Sequence, residues 1–193
     1  MYYGCVINYN PKQKDMNTNM TGKKKLVVFF SRTDENYGVG YIAKGNTHIV
    51  AEMLASETGA DLFQIEPVQS YPAEYDRCIE IAQQEKRAGA RPEIKSDIRI
   101  EDYDMIFLGY PNWWSELPMA VYTFIEKHDW NGKLIAPFCT HEGSGLSATE
   151  RRIQSACQGA KVLRGIAIQG STAQHDASAT RKAIHDWLKA LEQ

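Results

Sequence analysis

The chain has no large excess of charge of either sign, no long apolar run and few cysteines, and each shortage removes a class of protein. Its 22 Lys and Arg against 24 Asp and Glu leave a formal net charge of −2 over 193 residues, so no strongly basic nucleic-acid face is expected. The balance is uneven: residues 1–25 hold five Lys and one Asp, a net of +4, which leaves −6 for residues 26–193. The longest apolar run, Leu26 to Phe30, is strand-sized, far short of the roughly 18–20 residues a membrane-spanning helix needs. The N-terminal MYYGCVINYNPKQ lacks a basic n-region and a sustained apolar h-region, so it does not read as a secretory signal, and the cytoplasm is the expected location. Cys5, Cys78, Cys139 and Cys157 form no C-x-x-C pair and no metal-ligand pattern with the five His; they read as reduced thiols, and no metal is expected. A disulfide-stapled miniprotein is excluded, since a chain of this length buries a core unaided.

What is present has the proportions of a soluble globular domain, with 43% apolar and 24% charged residues, which excludes wholesale disorder. Residues 1–23 are polar and unpatterned and read as a mobile or loosely docked extension, with one domain over residues 24–193. Within it β-rich apolar runs (26–30, 61–65, 105–110, 134–139, 161–168) alternate with amphipathic stretches (47–58, 73–87, 118–127, 148–157, 176–191). Ile49, Val50, Met53 and Leu54 recur at helical spacing ahead of Gly59, placed for a left-handed cap. LVVFF and MIFLGY are continuously apolar, as strands covered on both faces are. The pattern predicts an open, doubly wound α/β sheet.

Such sheets bind ligands beyond the carboxyl ends of their strands, which points to three loops. After the first strand come Ser31-Arg32-Thr33, eleven further residues (34–44), and Gly45-Asn46-Thr47 opening a helix. Hydroxyls and an amide beside a helix N-terminus suit a phosphate; plain helix capping by Asn46 or Thr47 explains the same residues. Gly38-Val39-Gly40-Tyr41-Ile42-Ala43 matches the dinucleotide fingerprint in letters but not in place, because it does not run into a helix. After the third strand, Pro111-Asn112-Trp113-Trp114 offers aromatic surface for a flat partner, and one of the two Trp is expected to fold into the core. After the fourth, Thr140-His141-Glu142-Gly143-Ser144-Gly145 lets backbone N–H groups approach a ligand closely. A C-x5-R phosphatase loop fails at Gly145, a G-x-S-x-G elbow fails at Glu142, and no P-loop is present.

FFSRT…GNT, DLFQIEPVQSYPAEYD, YDMIFLGYPNWWSELPMAVYTFIE and GKLIAPFCTHEGSGLS together resemble the flavodoxin-like superfamily, in particular its small bacterial flavodoxin-like proteins. The resemblance runs from about Lys25 to the last helix. It implies a three-layer α/β/α sandwich with a five-stranded parallel sheet of order 2-1-3-4-5, and FMN as cofactor. Carried over by position, it makes Ser31, Thr33, Asn46 and Thr47 phosphate contacts, with Arg32 contributing its backbone N–H. Pro111, Asn112, Trp113 and Trp114 would flank the isoalloxazine, and Thr140, His141, Gly143, Ser144 and Gly145 would line its edge. The eleven-residue insertion departs from the compact S-x-T-G-x-T of the simplest flavodoxins; it is either a flap over the site or a displacement of Thr33.

The protein around a flavin selects one-electron or hydride chemistry. One-electron carriers often flip a peptide at a glycine in the loop after the third strand, and there is none between Pro111 and Pro118. A body charge of −6 is also modest for a carrier steered to basic partners. Both features favour an oxidoreductase that passes hydride from NAD(P)H to a quinone-like acceptor, with His141 a candidate proton donor. The alternative is an electron carrier between redox protein partners. No nucleic acid or membrane partner is expected, and a homodimer is left open.

Overall fold

The computed structural model describes residues 20–193. Its parallel sheet is built from β1 (Lys25–Phe29), β4 (Asp61–Gln64), β5 (Met105–Pro111), β6 (Leu134–His141), β7 (Lys161–Val162) and β8 (Ile166–Gln169). The order is β4-β1-β5-β6, with β7 and β8 both on the free edge of β6. Counted as one edge strand they complete the five-stranded 2-1-3-4-5 order. The helices are α1 (Asn46–Thr58), α2 (Tyr75–Ala88), α3 (Met119–Ile125), α4 (Thr149–Ala156), α5 (Gly170–His175) and α6 (Ala177–Leu191).

Strand alternation divides the core in two. Leu26, Val28, Ile106, Leu108, Tyr110 and Ile135 face α3 and α4, packing with Phe124 and Ile153. Val27, Phe29, Met105, Phe107, Ala136 and Phe138 face α1 and α6, packing with Leu54, Ile184 and Trp187. The buried stretches 26–29, 105–110 and 134–139 of these strands therefore carry no charged residue, because both faces are covered. At Gly109 a Cβ would lie 2.1 Å from the ring of its cross-strand partner Phe138, so the bare backbone is the floor on which that ring rests.

The chain differs from the sequence expectation in four places. The last strand is not continuous: from Ile135↔Val162 to Phe138↔Ile166 the register advances three residues on β6 and four on the edge. The extra residue is a bulge opposite Pro137, which has no N–H to give the ladder. Residues 34–44 contain an antiparallel hairpin, β2 (Asp34–Asn36) with β3 (Gly40–Ile42). The residues of the apparent dinucleotide fingerprint form its turn and second strand, with Gly38 at φ 77° and Gly40 at φ 69°. A sixth helix, α5, follows β8 directly. Met20, placed by the sequence in the extension, is buried against the α1 and α6 layer, so packing begins before Lys24; the rest of that extension, residues 1–19, lies outside the described residues.

Cys78, Cys139 and Cys157 are buried and unpaired. Burial pushes their thiols up to about 11, 12 and 12, and the thiolate is the reactive form. In a thiol titration at pH 8 these three should react only after unfolding; rapid labelling of them in the native protein would contradict the packing.

Candidate binding cleft

The loops after β1, β5 and β6 meet at the carboxyl edge of the sheet around a cleft of about 270 Å³. Asn46, Pro111, Asn112, Trp113, Trp114, Thr140, His141 and Ser144, all expected from the sequence, line it together with Asn36, Tyr37, Tyr75, Ile79 and Glu142, which were not. Gly143 (φ 121°) and Gly145 (φ 58°) shape the loop on either side of Ser144. The volume lies just below the roughly 300–1,000 Å³ typical of ligand pockets, which suits one planar ring system with its tail outside.

The phosphate-type end is built differently from the sequence expectation. The cap of α1 is neither Asn46 nor Thr47: Ser31 Oγ reaches across from the β1 loop and accepts the N–H of His48 at 3.1 Å. Its own O–H proton stays available as a donor. The first N–H groups of α1, those of Asn46 and Thr47, have no acceptor within the helix. Thr47 is buried, and its hydroxyl is hydrogen-bonded to that of Thr140 at 2.7 Å, so it offers an anion its backbone. The Ser31, Arg32 and Thr33 side chains line a neighbouring pocket of about 230 Å³ rather than the cleft. Exposed Thr33 bonds to Asp34 at 3.0 Å. Arg32 acts as a bolt: its guanidinium donates to the carbonyl oxygens of Glu35, Pro72 and Ala73 and so ties the hairpin to the segment before α2.

α5 supports the cleft from behind. Glu142 accepts from Ser171 N–H at 2.6 Å and from the Ser171 hydroxyl at 3.2 Å, while Gln174 donates to Lys44 O and to Asn46 Oδ1. A Cβ at Gly170 would meet Asn46 Nδ2 at 2.1 Å and Glu142 Oε1 at 2.7 Å. No local signal marks these residues, because Gln174 and Asn46 are 128 positions apart.

The two tryptophans take separate roles. Trp113 packs edge-on against Phe30 and Tyr71 and joins the core. Trp114 is 44% exposed; its indole N–H donates to Ile79 O at 3.0 Å, and its carbonyl accepts from Lys86 Nζ at 2.6 Å. Trp113 and Glu116 exchange backbone hydrogen bonds across a tight turn whose central residues, Trp114 and Ser115, have φ of 58° and 60°. That I′-like geometry favours Gly or Asn. Glu116, buried and bonded to Leu117 N–H, the Tyr122 hydroxyl and Arg152, anchors the turn. Ser115→Gly should relieve the strain and stabilise the protein by about 1 kcal/mol, raising Tm by roughly 2–4 °C; an unchanged or lower Tm would refute strain at this residue.

Asn112 joins two loops. Its Nδ2 donates to Gly145 O at 2.7 Å and Ser147 Oγ at 3.0 Å, which fixes the amide's orientation. Its Oδ1 is buried with no partner within the protein, an acceptor that requires a donor N–H or O–H.

His141 Nδ1 accepts the N–H of Gly143 at 2.8 Å, so the proton of the neutral ring sits on Nε2. Burial holds its pKa below the usual 6.5, against the opposing pull of Glu142. Near neutral pH the ring is therefore an uncharged hydrogen-bond donor. With the lower pKa in the folded state, its contribution to stability is whole above pH 6.5 and is lost as pH falls through the folded value. The Tm gap between the wild type and His141→Gln should narrow from pH 7 to pH 5; a constant gap would exclude this linkage.

The chain matches the family model described as Flavodoxin over residues 36–190, and it belongs to the flavodoxin family. Among solved structures, a protein from Bacteroides eggerthii assigned as a flavoprotein is 30% identical, with a TM-score of 0.71 over 89% of this chain and 99% of that one. A second, from Bacteroides uniformis, is 27% identical, with a TM-score of 0.69 over 87% and 99%. A flavoprotein from Lactobacillus acidophilus, solved in complex with FMN, shares the fold at 21% identity and a TM-score of 0.61, over 79% and 97%. No curated protein matches the chain. Among the described residues no helix is long and apolar enough to cross a membrane.

Proposed function

We propose that the protein binds FMN in this cleft and uses it as an NAD(P)H-dependent reductase of quinone-like acceptors. The observation that carries the flavin reading is Asn112 Oδ1, a buried acceptor without a donor, on a residue lining a cleft sized for one ring system, beside Pro111, Trp113 and Trp114. An isoalloxazine brings a planar face and a ring N–H. Asn46 lines the cleft at the start of α1, and the first amides of that helix, with Ser31 hydrogen-bonded to it from the adjoining pocket, suit the phosphate. Bound FMN supplies a redox-active ring; the chain holds it, limits water around it, and presents His141 Nε2–H and the 143–145 backbone as donors. Overall, NAD(P)H and one proton reduce a quinone to its hydroquinone, a two-electron exchange.

The reductase reading over the carrier reading is supported by the Trp114 carbonyl. A carrier that turns a peptide in this loop on reduction needs that peptide free, whereas here Lys86 holds the carbonyl and Glu116 anchors the turn. FMN fluorescence should be quenched on titration with the protein, and NADH or NADPH should be oxidised faster with menadione present than by free FMN. Unquenched fluorescence would sink the flavin assignment. Quenching without turnover above free FMN would leave the carrier function in its place.

A further inference from the structure

The inserted hairpin carries aromatic surface that the ring-binding loops do not account for. Tyr37, in the segment joining β2 and β3, is 64% exposed, and its ring packs on that of Tyr75 with centroids 5.9 Å apart and planes tilted by 36°. Tyr75 opens α2, and Ile79, one turn further on the same helix face, takes the indole N–H of Trp114. Tyr37, Tyr75 and Trp114 therefore stand along one side of the cleft, braced by α2. The hairpin is not a loose loop: Glu35 Oε2 caps α2 by accepting the Tyr75 N–H at 2.8 Å, Glu35 N–H donates to Ala73 O at 3.2 Å, and Arg32 bolts the same segment. The wall is preorganised.

Aromatic side chains grouped at a cleft offer flat faces to a planar ligand. Among the lining residues the one carboxylate, Glu142, is turned onto Ser171, and His141 is neutral, so the lining selects for planarity and not for charge. Tyr37 is the most exposed of the aromatic residues lining the cleft.

We propose that Tyr37, braced by Tyr75, is the stacking site for the second substrate, a neutral planar aromatic acceptor of the naphthoquinone type. This rests on the flavin reading, because the acceptor must lie near a bound ring to receive its electrons. The test uses the full chain loaded with FMN, with menadione as the probe, and compares the wild type with Tyr37→Ala and Tyr37→Phe. Menadione binding to the oxidised holoprotein, measured by equilibrium dialysis, should weaken about 5-fold in Tyr37→Ala, and KM for menadione should rise in proportion while KM for NADPH holds. FMN affinity should stay within about 2-fold, and Tyr37→Phe, which keeps the ring, should behave as wild type. Reduction of ferricyanide, which is not planar, should be unaffected. If Tyr37→Ala weakens FMN as much as menadione, Tyr37 is a wall of the flavin slot and the inference is overturned. Unchanged menadione binding in a holoprotein that holds FMN overturns it alone, whereas a wild type that takes up no FMN overturns the flavin reading and this inference together.

Discussion

Gly45→Ala should reduce FMN affinity at least about 100-fold while changing riboflavin affinity little. Gly45 has φ −67° and ψ 152°, a conformation any residue adopts, so the requirement for glycine is one of space. A Cβ there would stand 2.2 Å from Ser31 Oγ and 2.3 Å from Arg32 O, and the second of these is backbone, which cannot swing aside. The β1 loop must move away from α1, and Ser31 then loses its bond to His48 N–H. Overpacking and the lost cap together should destabilise the fold by about 2–4 kcal/mol. Both consequences fall at the end proposed to hold the phosphate, hence the expected selectivity for the phosphorylated flavin. The measurements are Tm and paired Kd values for FMN and riboflavin; an FMN affinity within about 3-fold of wild type would refute this construction of the phosphate end.

Asn112→Ala should weaken both flavins alike, by roughly 100-fold or about 2.7 kcal/mol. Nδ2 ties the loop after β5 to Gly145 and Ser147 of the loop after β6, while Oδ1 is a buried acceptor with no donor in the protein, which the proposed flavin would supply. Asn112→Asp keeps an acceptor but turns a carboxylate toward the Gly145 carbonyl oxygen, so it should rescue little. The two variants thus have distinct signatures, a phosphate-selective loss at Gly45 and a ring-centred loss at Asn112. A phosphate-selective loss for Asn112→Ala would place the ring elsewhere.

The parts of the fold visible in the sequence are those whose cause is local. LVVFF and MIFLGY are apolar throughout because helices cover both faces, and Gly59 ends α1 in the left-handed conformation its position implies. The loops after β5 and β6 follow from that sheet order, and with them most of the cleft lining. The hairpin was hidden because DEN and GYI show no apolar alternation, and α5 because GSTAQH has no apolar face. Residues whose roles arise only from tertiary contact were also out of reach. Ser31, rather than the adjacent Asn46 or Thr47, caps α1 from fifteen positions before Asn46. Glu116 looks like an ordinary loop carboxylate until Arg152 and Tyr122 are brought to it. Of the adjacent tryptophans, only packing against Phe30 and Tyr71 decides which one turns inward.

The support that α5 gives the cleft has a temporal meaning during synthesis. By the time β6 and its loop have left the ribosome, the three strand-end loops are all in hand, yet Ser171 and Gln174 are still to come. Until they arrive, Glu142 has no amide to cap and Asn46 lacks its Gln174 partner. A nascent chain ending before Gly170 therefore carries every residue that lines the cleft without the buttress that sets Glu142 and Asn46, so the finished shape of the cleft depends on the last segment to be made.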